Sequence, residues 1–101
     1  MKAAGIMQRR NMTVLIMDNV SQALRGECTR YLLEVKAGVF IGTISALVRE
    51  KLWENVKKQC GDGNCLIAAS ADNEQGFVME VYGNPKRTLV DFDGLQLIKM
   101  G

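Results

Sequence analysis

The residue best suited to chemistry stands at the end of an apolar run. Residues 12–17 read Met-Thr-Val-Leu-Ile-Met, and the run ends abruptly in Asp18 and an amide residue. An acid at the end of a buried strand can hold a hard metal ion such as Mg²⁺, or it can face a phosphate. Alternatively, Asp18 caps the helix that begins near Ser21. Asp91 and Asp93 could converge on Asp18, but Asp-Phe-Asp-Gly is equally typical of a turn.

The cysteines and the lack of histidine exclude several other chemistries. The chain has no His, which excludes His-based acid–base catalysis, Ser-His and Cys-His nucleophile pairs, and most zinc sites. The spacing of Cys60 and Cys65 does not complete a four-ligand metal set, and Cys28 falls on an apolar stripe typical of a core. Three cysteines without an export signal predict free thiols in a reducing cytoplasm.

The basic residues are the candidate nucleic-acid ligands. The net charge of +2 is too small to predict nucleic-acid binding unless the cations cluster on one face. Arg25 falls in the first turn of a predicted helix, where backbone amides also favour phosphate. Lys86 and Arg87 follow Gly and Pro in an exposed loop. Arg49 and Lys51, on a second predicted helix, could extend the path, although any one of these cations can be a solvated surface charge.

Length and composition indicate a single globular domain. The chain has 101 residues, of which 48% are hydrophobic and 24% charged, as is ordinary for a globular protein with one modest core. No apolar run approaches the ~18 residues that a membrane-spanning helix needs, so we expect no membrane association. Residues 1–11 are predicted to be a flexible extension, and residues 12–101 a single domain.

The elements that position the candidate residues follow from hydrophobic spacing. The near-continuous apolar character of residues 12–17 predicts a strand buried on both faces. A helix from about Ser21 to Gly38 is predicted next. Its apolar residues recur at helical spacing, at Leu24, Cys28, Tyr31, Leu32 and Val35. Tyr31 and Trp53 are expected in the core rather than as platforms for base stacking.

The remaining elements alternate with polar turns. We expect strands at 39–41, 65–70, 77–82 and 95–100, and a second helix from about Ile44 to Gln59. We expect turns or loops at 42–43, 71–76, 83–87 and 91–94. The order is β-α-β-β-α-β if the short strand at 39–41 is counted and the second helix is placed late, or more literally β-α-β-α-β-β-β. The nearest common architecture is an α+β ferredoxin-like sandwich, an antiparallel sheet with two helices on one face, plus a short C-terminal strand.

This architecture leaves one sheet face without cover. A small chain with an apolar second face is a candidate homodimer. The C-terminal strand 95–100 can either pair with the sheet edge of a partner chain or lie at an edge of its own sheet.

Several sequence blocks together resemble a known family. The most specific are Leu-Leu-Glu-Val-Lys-Ala-Gly-Val at 32–39 and Val-Asp-Phe-Asp-Gly-Leu at 90–95. Asp-Asn-Val at 18–20, Leu-Arg-Gly at 24–26 and Gly-Phe at 76–77 add to them. Over residues 12–100 the chain resembles the smaller of the two universal CRISPR adaptation proteins, most closely its type I-E branch.

The resemblance implies a ferredoxin-like homodimer that binds a larger integrase. That assembly captures fragments of double-stranded DNA and inserts them into a CRISPR array. Arg25, Lys86 and Arg87 match family positions whose basic residues touch the DNA backbone, whereas Ala23 stands where the family has a further basic residue. Asp18 matches the family's acidic position, although the type I-E branch more often has Glu there. In a dimer, two copies of Asp18 could share one Mg²⁺ ion.

Three functional hypotheses follow. The first is a dimeric scaffold of spacer acquisition that binds the duplex backbone and docks the integrase through its C-terminal strand. The second, also implied by the resemblance, is a metal-dependent endonuclease centred on Asp18, acting on single-stranded RNA or double-stranded DNA. The third is a toxin-like ribonuclease on the same fold, against which a neighbouring integrase gene would argue.

Overall fold

The computed structural model describes residues 10–83, 87–92 and 95–100. Nine elements follow one another along the chain. They are β1 (Arg10–Asp18), α1 (Gln22–Cys28), β2 (Leu33–Lys36), β3 (Val39–Ser45), α2 (Ala46–Gln59), β4 (Asn64–Ser70), β5 (Phe77–Gly83), β6 (Arg87–Phe92) and β7 (Leu95–Met100).

Five strands form one antiparallel sheet in the order β2-β3-β1-β4-β5. The central strand is β1, in which Leu15 pairs with Phe40 of β3 on one side and with Ile67 of β4 on the other. The β-α-β-β-α-β path of the first four strands, with β1 between β3 and β4, is that of a ferredoxin-like fold. The expected fold class is therefore confirmed, with β5 added at the β4 edge.

Only one face of the sheet is covered by the helices. Along β1, Thr13, Leu15 and Met17 are buried, whereas Met12 and Ile16 between them are exposed. Alternate residues of a strand point to opposite faces, so the first set faces the core and the second faces away. The prediction that this strand is buried on both faces is therefore wrong for the single chain, because the helices lie against one face alone.

Both helices begin at serine caps and bury apolar side chains against the sheet. The Ser21 hydroxyl accepts a hydrogen bond from the Leu24 N–H at 3.1 Å, and the Ser45 hydroxyl accepts one from the Val48 N–H at 3.3 Å. The largest fully buried side chains, which define the core, are Phe40, Leu15, Leu24, Val56, Thr13 and Cys28. From α2, Trp53 joins this core as expected.

The first helix is shorter than the sequence predicts. It ends at Cys28, where the Thr29 hydroxyl donates to the Gly26 carbonyl at 2.5 Å and closes the last turn. The prediction that the helix reaches Gly38 is wrong, because residues 33–36 form β2 and pair with β3. As a result Tyr31 and Val35, expected in the core, are 49% and 51% exposed.

Two glycines explain the hairpin that replaces the end of that helix. Gly38 has φ +78°, and a Cβ there would lie 2.3 Å from the Met17 carbonyl oxygen. Its own carbonyl accepts a hydrogen bond from the Met17 N–H at 2.7 Å, so the β2–β3 turn sits directly against β1. The turn expected at residues 42–43 is wrong, since both residues continue β3. A Cβ at Gly42 would come within 2.9 Å of the Leu32 side chain.

The last two strands form a separate hairpin. β6 and β7 pair from Arg87 with Met100 to Phe92 with Leu95. The expected strand 95–100 is confirmed, whereas β6 was not predicted. Residues 91 and 92, expected in a turn, belong to β6, and Asp93 lies outside the described residues.

The side chains of two glutamines attach this hairpin to the edge of β5. The Gln96 side chain accepts from the Met79 N–H at 2.6 Å and donates to the Met79 carbonyl at 3.0 Å. The Gln96 backbone in turn exchanges two hydrogen bonds with the Gln75 side chain. The amide of Gln96 thus occupies the position that a neighbouring strand would take.

At the other end, β1 begins at Arg10, and Asn11 pairs with Ile44 of β3. Residues 1–9 of the predicted extension lie outside the described residues. The longer of the two helices in the described residues, α2, has 14 residues, so neither of them could span a bilayer.

Candidate nucleic-acid interface

Asp18 is exposed at the end of β1, on the sheet face that the helices leave uncovered. It shares this face with Ile16, two residues earlier, and its partner in β4 is Asn64. The next residue, Asn19, has φ +57°, so the chain turns sharply away from the sheet. The N-cap of α1 is Ser21, so Asp18 does not cap this helix.

The end of β1 rests on the turn between α2 and β4. A Cβ on Gly63 would lie 2.7 Å from the Asp18 carbonyl oxygen and 2.6 Å from that of Asn19. Only glycine therefore allows this turn to approach the strand so closely. The turn fixes the backbone from which the Asp18 carboxylate projects.

The described residues supply few further ligands for a metal ion. Among them, no group of three or more His, Cys, Asp or Glu residues is arranged to hold a metal ion. Mg²⁺ keeps several waters and needs only one or two protein carboxylates, so Asp18 is chemically suited to it. Asp91 lies in β6, in the separate hairpin rather than in the sheet that carries Asp18.

Arg25 on α1 is held by an ion pair with Glu34 of β2. Its Nε and Nη2 donate to the same Glu34 oxygen, Oε2, at 3.0 and 2.9 Å. That oxygen also accepts from the Gly38 N–H at 2.9 Å. The Gly38 hydrogen bond, followed by the one from Arg25, lowers the pKa of the Glu34 carboxyl. About a third of the Arg25 side chain, 35%, remains accessible, so the guanidinium can still contact an anion.

Arg49 on α2 is less accessible than a free surface cation. It lies with Trp53 and Glu80 in the lining of a cavity of about 150 Å³ between α2 and β5. Its Nη1 is buried and has no hydrogen-bond partner among the described residues. The Glu80 carboxylate accepts instead from the Trp53 indole N–H at 2.9 Å.

The C-terminal cations are described only in part. Lys86 lies outside the described residues, and Arg87 is the first residue of β6. The structure therefore distributes the predicted basic residues over α1, α2 and the start of the hairpin.

An exposed groove lies between the two helices, and it includes a residue that the sequence predicts in the core. Tyr31, which follows α1, and Lys51 of α2 both line this groove of about 260 Å³. On its floor the Asn55 side chain donates to the Glu27 carboxylate. Further exposed cations are Arg30 and Lys36, which the sequence reasoning missed. Their only signal was position, because Arg30 precedes the short β2 strand and Lys36 ends it, and the helical stripe concealed that strand.

The uncovered sheet face presents two rows of apolar residues that run across the strands. One row consists of Leu33, Ile41, Val14, Ala68 and Met79, and the next consists of Val39, Ile16, Leu66 and Val81. Leu33 is 66% exposed and Ile16 is 41% exposed. Neither row contains a charged residue, so most of this face offers only hydrophobic contacts.

One comparison with known proteins bears on this arrangement. The family model described as "CRISPR-associated protein (Cas_Cas2CT1978)" matches residues 12–97. The match takes in α1, α2 and nearly all of the five-stranded sheet, and it extends into the hairpin.

Proposed function

Because this chain belongs to the CRISPR-associated Cas2 family, we propose that it is a structural, DNA-binding subunit of the complex that acquires CRISPR spacers. In this role a homodimer bridges subunits of the larger integrase and contacts the backbone of incoming double-stranded DNA in the cytoplasm. The observation that carries the proposal is the family match over residues 12–97. The uncovered face and the cationic side chains support its separate parts.

The homodimer is supported by the two apolar rows of the uncovered sheet face. Exposed apolar patches of this kind mark interaction surfaces on small proteins. A second copy offers the same uncharged rows. A two-fold arrangement would pack the rows of the two copies together with no charged residue between them. The same arrangement would bring one Asp18 carboxylate from each chain to the interface.

The contact with duplex DNA is supported by Arg25, Lys86 and Arg87, which match the family's basic positions. Contacts from such side chains to phosphates depend little on base sequence and weaken with salt. The Glu34 carboxylate orients Arg25 and leaves part of the guanidinium accessible. Arg49 contributes less in this proposal, since part of its guanidinium is buried beside α2.

Two arginines provide the test of DNA binding. We expect the double variant Arg25→Ala, Arg87→Ala to bind a short duplex more weakly and to lose spacer acquisition. The plot of log affinity against log salt should become shallower, its negative slope losing about two in magnitude, because each lost phosphate contact removes about one released counterion. Fluorescence anisotropy at several salt concentrations measures both quantities.

The matched control removes the same charge elsewhere. Lys57→Ala with Lys58→Ala also takes away two positive charges, from the last turn of α2. We expect this control to retain most of the duplex affinity. Equal losses in both double variants, or normal acquisition by the arginine variant, would refute the assigned DNA contacts.

The integrase contact is assigned to the hairpin of β6 and β7. This hairpin forms a sheet of its own and is attached to β5 through side chains, so its outer edge is suited to pairing with another chain. Size-exclusion chromatography with the co-encoded integrase tests the contact. Deletion of residues 95–101 should abolish co-elution, and co-elution of the truncated chain would contradict the assignment.

A second candidate function is a metal-dependent endonuclease acting on single-stranded RNA or double-stranded DNA. It is favoured by the exposure of Asp18 on the uncovered face, where a dimer would supply two carboxylates for one Mg²⁺ ion. Asp18→Asn separates the two functions, with Asp62→Asn in the neighbouring turn as the control. Loss of Mg²⁺-dependent cleavage in the first variant alone would establish the enzyme. Survival of acquisition in that variant would make catalysis dispensable.

A further inference from the structure

A pair of thiols lies behind the end of β1, where Cys65 of β4 pairs with Met17. Cys60 is the C-cap residue of α2, and Cys65 is the second residue of β4. Their Sγ atoms are 3.2 Å apart, and both residues are buried. Both are reduced in this structure, and no other pair of thiols in the described residues lies within hydrogen-bonding distance.

We propose that Cys60 and Cys65 are a redox-active dithiol that closes to an intramolecular disulfide when hydrogen peroxide reaches it. The bond would lock the end of α2 to the start of β4. This property goes beyond the binding role proposed above and does not depend on it.

The geometry needs little change for the bond to form. A disulfide has an S–S distance of about 2.05 Å, so the two sulfur atoms must approach by roughly 1 Å. The adjustment can fall at Gly61, where a Cβ would meet nothing within 4 Å, because Gly63 of the same turn is packed against β1. The turn is also held in a compact form by the Gly63 N–H, which donates to the Cys60 carbonyl at 3.0 Å.

The chemistry is complete with one peroxide molecule. The sulfur of one cysteine attacks a peroxide oxygen, the O–O bond breaks, and the leaving hydroxide takes up a proton to give water and a sulfenic acid. The second sulfur then attacks the sulfenic sulfur and expels hydroxide, which leaves as water with that cysteine's proton. Two thiols are oxidised and one peroxide is reduced to two waters.

Burial controls how readily the two thiols are oxidised. Desolvation, together with the hydrogen bond to Cys60, raises the pKa of the Cys65 thiol. The reactive thiolate is therefore scarce at neutral pH, and oxidation waits for a brief opening of the turn. Burial also raises the pKa of the third thiol, Cys28, to about 11. Since Cys28 makes no sulfur–sulfur hydrogen bond of the kind that joins Cys60 and Cys65, it is the internal reference for an unpaired thiol.

The position of the pair gives the bond a structural consequence. The turn that it would clamp contains Gly63, whose backbone lies against the carbonyl oxygens of Asp18 and Asn19. A closed disulfide would stiffen the support of the β1 end, where the exposed carboxylate of Asp18 is presented.

Peptide mapping of the native chain is the decisive experiment. After treatment with hydrogen peroxide and alkylation of the remaining thiols, trypsin releases both cysteines on one peptide, Gln59–Lys86, and Cys28 on another, Gly26–Arg30. We expect the first peptide to be lighter by two hydrogen atoms and the second to be alkylated. An alkylated first peptide, or a bond that joins the two peptides, would overturn the proposal.

Thermal unfolding supplies an independent readout with a matched control. Oxidation should raise the unfolding midpoint by a few degrees, and dithiothreitol should reverse the rise, since a closed loop restricts the unfolded chain. Cys28→Ala should keep this response and Cys65→Ala should lose it. A response that survives in Cys65→Ala, or none in the native chain, would contradict the assignment.

Discussion

The two faces of the five-stranded sheet come from the same strands, yet they meet different surroundings. On the helix-covered face Leu15 and Phe40 are fully buried, whereas on the other face their sequence neighbours Ile16 and Ile41 remain accessible. Because alternate residues point to opposite sides, a shift of one residue in pairing would exchange the two sets. The difference shows that apolar character along a strand does not reveal whether helices or a second molecule cover it.

The largest expected effect comes from the covered face. Phe40→Ala should lower the free energy of unfolding by about 3–5 kcal/mol, because it opens a cavity in the centre of the core. Urea unfolding followed by circular dichroism measures the loss. The matched variant Ile41→Ala, one residue along the same strand, should cost only a fraction of it in dilute protein. Equal costs would mean that the two faces are packed alike.

A charged residue placed on the face that the helices leave uncovered tests whether a second copy of the chain packs there. Ile16→Lys should leave the fold intact and weaken self-association at least tenfold, which corresponds to about 1.4 kcal/mol. Analytical ultracentrifugation over a dilution series measures the association. Val78→Lys is the control, since Val78 is similarly exposed, at 39%, but lies on the other face of β5. A dimer that survives Ile16→Lys would exclude this face as the interface.

A smaller effect is expected where the covered face reaches the sheet edge. Glu80→Ala removes the acceptor of the Trp53 indole N–H and leaves that buried donor unpaired, so it should cost about 1 kcal/mol of stability. Glu80→Gln keeps an acceptor oxygen at the same position and should retain most of the stability that Glu80→Ala loses. If the two variants are equally destabilised, the hydrogen bond does not hold α2 against β5.

The smallest expected effect is a pH dependence of stability that comes from Glu34 in β2, the edge strand opposite β5. The folded chain lowers the pKa of Glu34 below its ordinary value of 4.5. Its contribution to stability is therefore present above pH 4.5 and is lost as the pH falls through the lower, folded-state pKa. Glu34→Gln should flatten the acid limb of a plot of unfolding midpoint against pH. Glu50→Gln, on the exposed side of α2, should leave that limb unchanged.

The sequence predicts the centre of the fold better than its edges. Residues 12–17, the second helix and the strands near 65–70 and 77–82 have spacings that local pattern alone can identify. The end of the first helix could not be found in this way, because Tyr31, Leu32 and Val35 continue the helical spacing. These residues do not continue the helix because residues 33–36 pair with β3 and the chain turns at Gly38. Both features depend on residues distant from the helix.

The candidate site was predicted by residue type rather than by arrangement. Asp18 and Arg25 were identified from the end of a strand and from family positions. The partner of Arg25 could not be identified, since Glu34 reaches it only after residues 33–36 form a strand beside α1. The partial burial of Arg49 likewise follows from the packing of α2 on β5, which has no signature in the spacing of charges.

The attachment of Gln96 to β5 occupies part of the edge at which another chain could pair with the sheet. An outermost strand with free N–H and C=O groups is a template for other chains, and natural sheets rarely leave one bare. Here a side-chain amide satisfies both backbone groups of Met79 in the middle of that strand. We expect Gln96→Ala to leave the core intact and to open these two backbone groups to pairing with another chain.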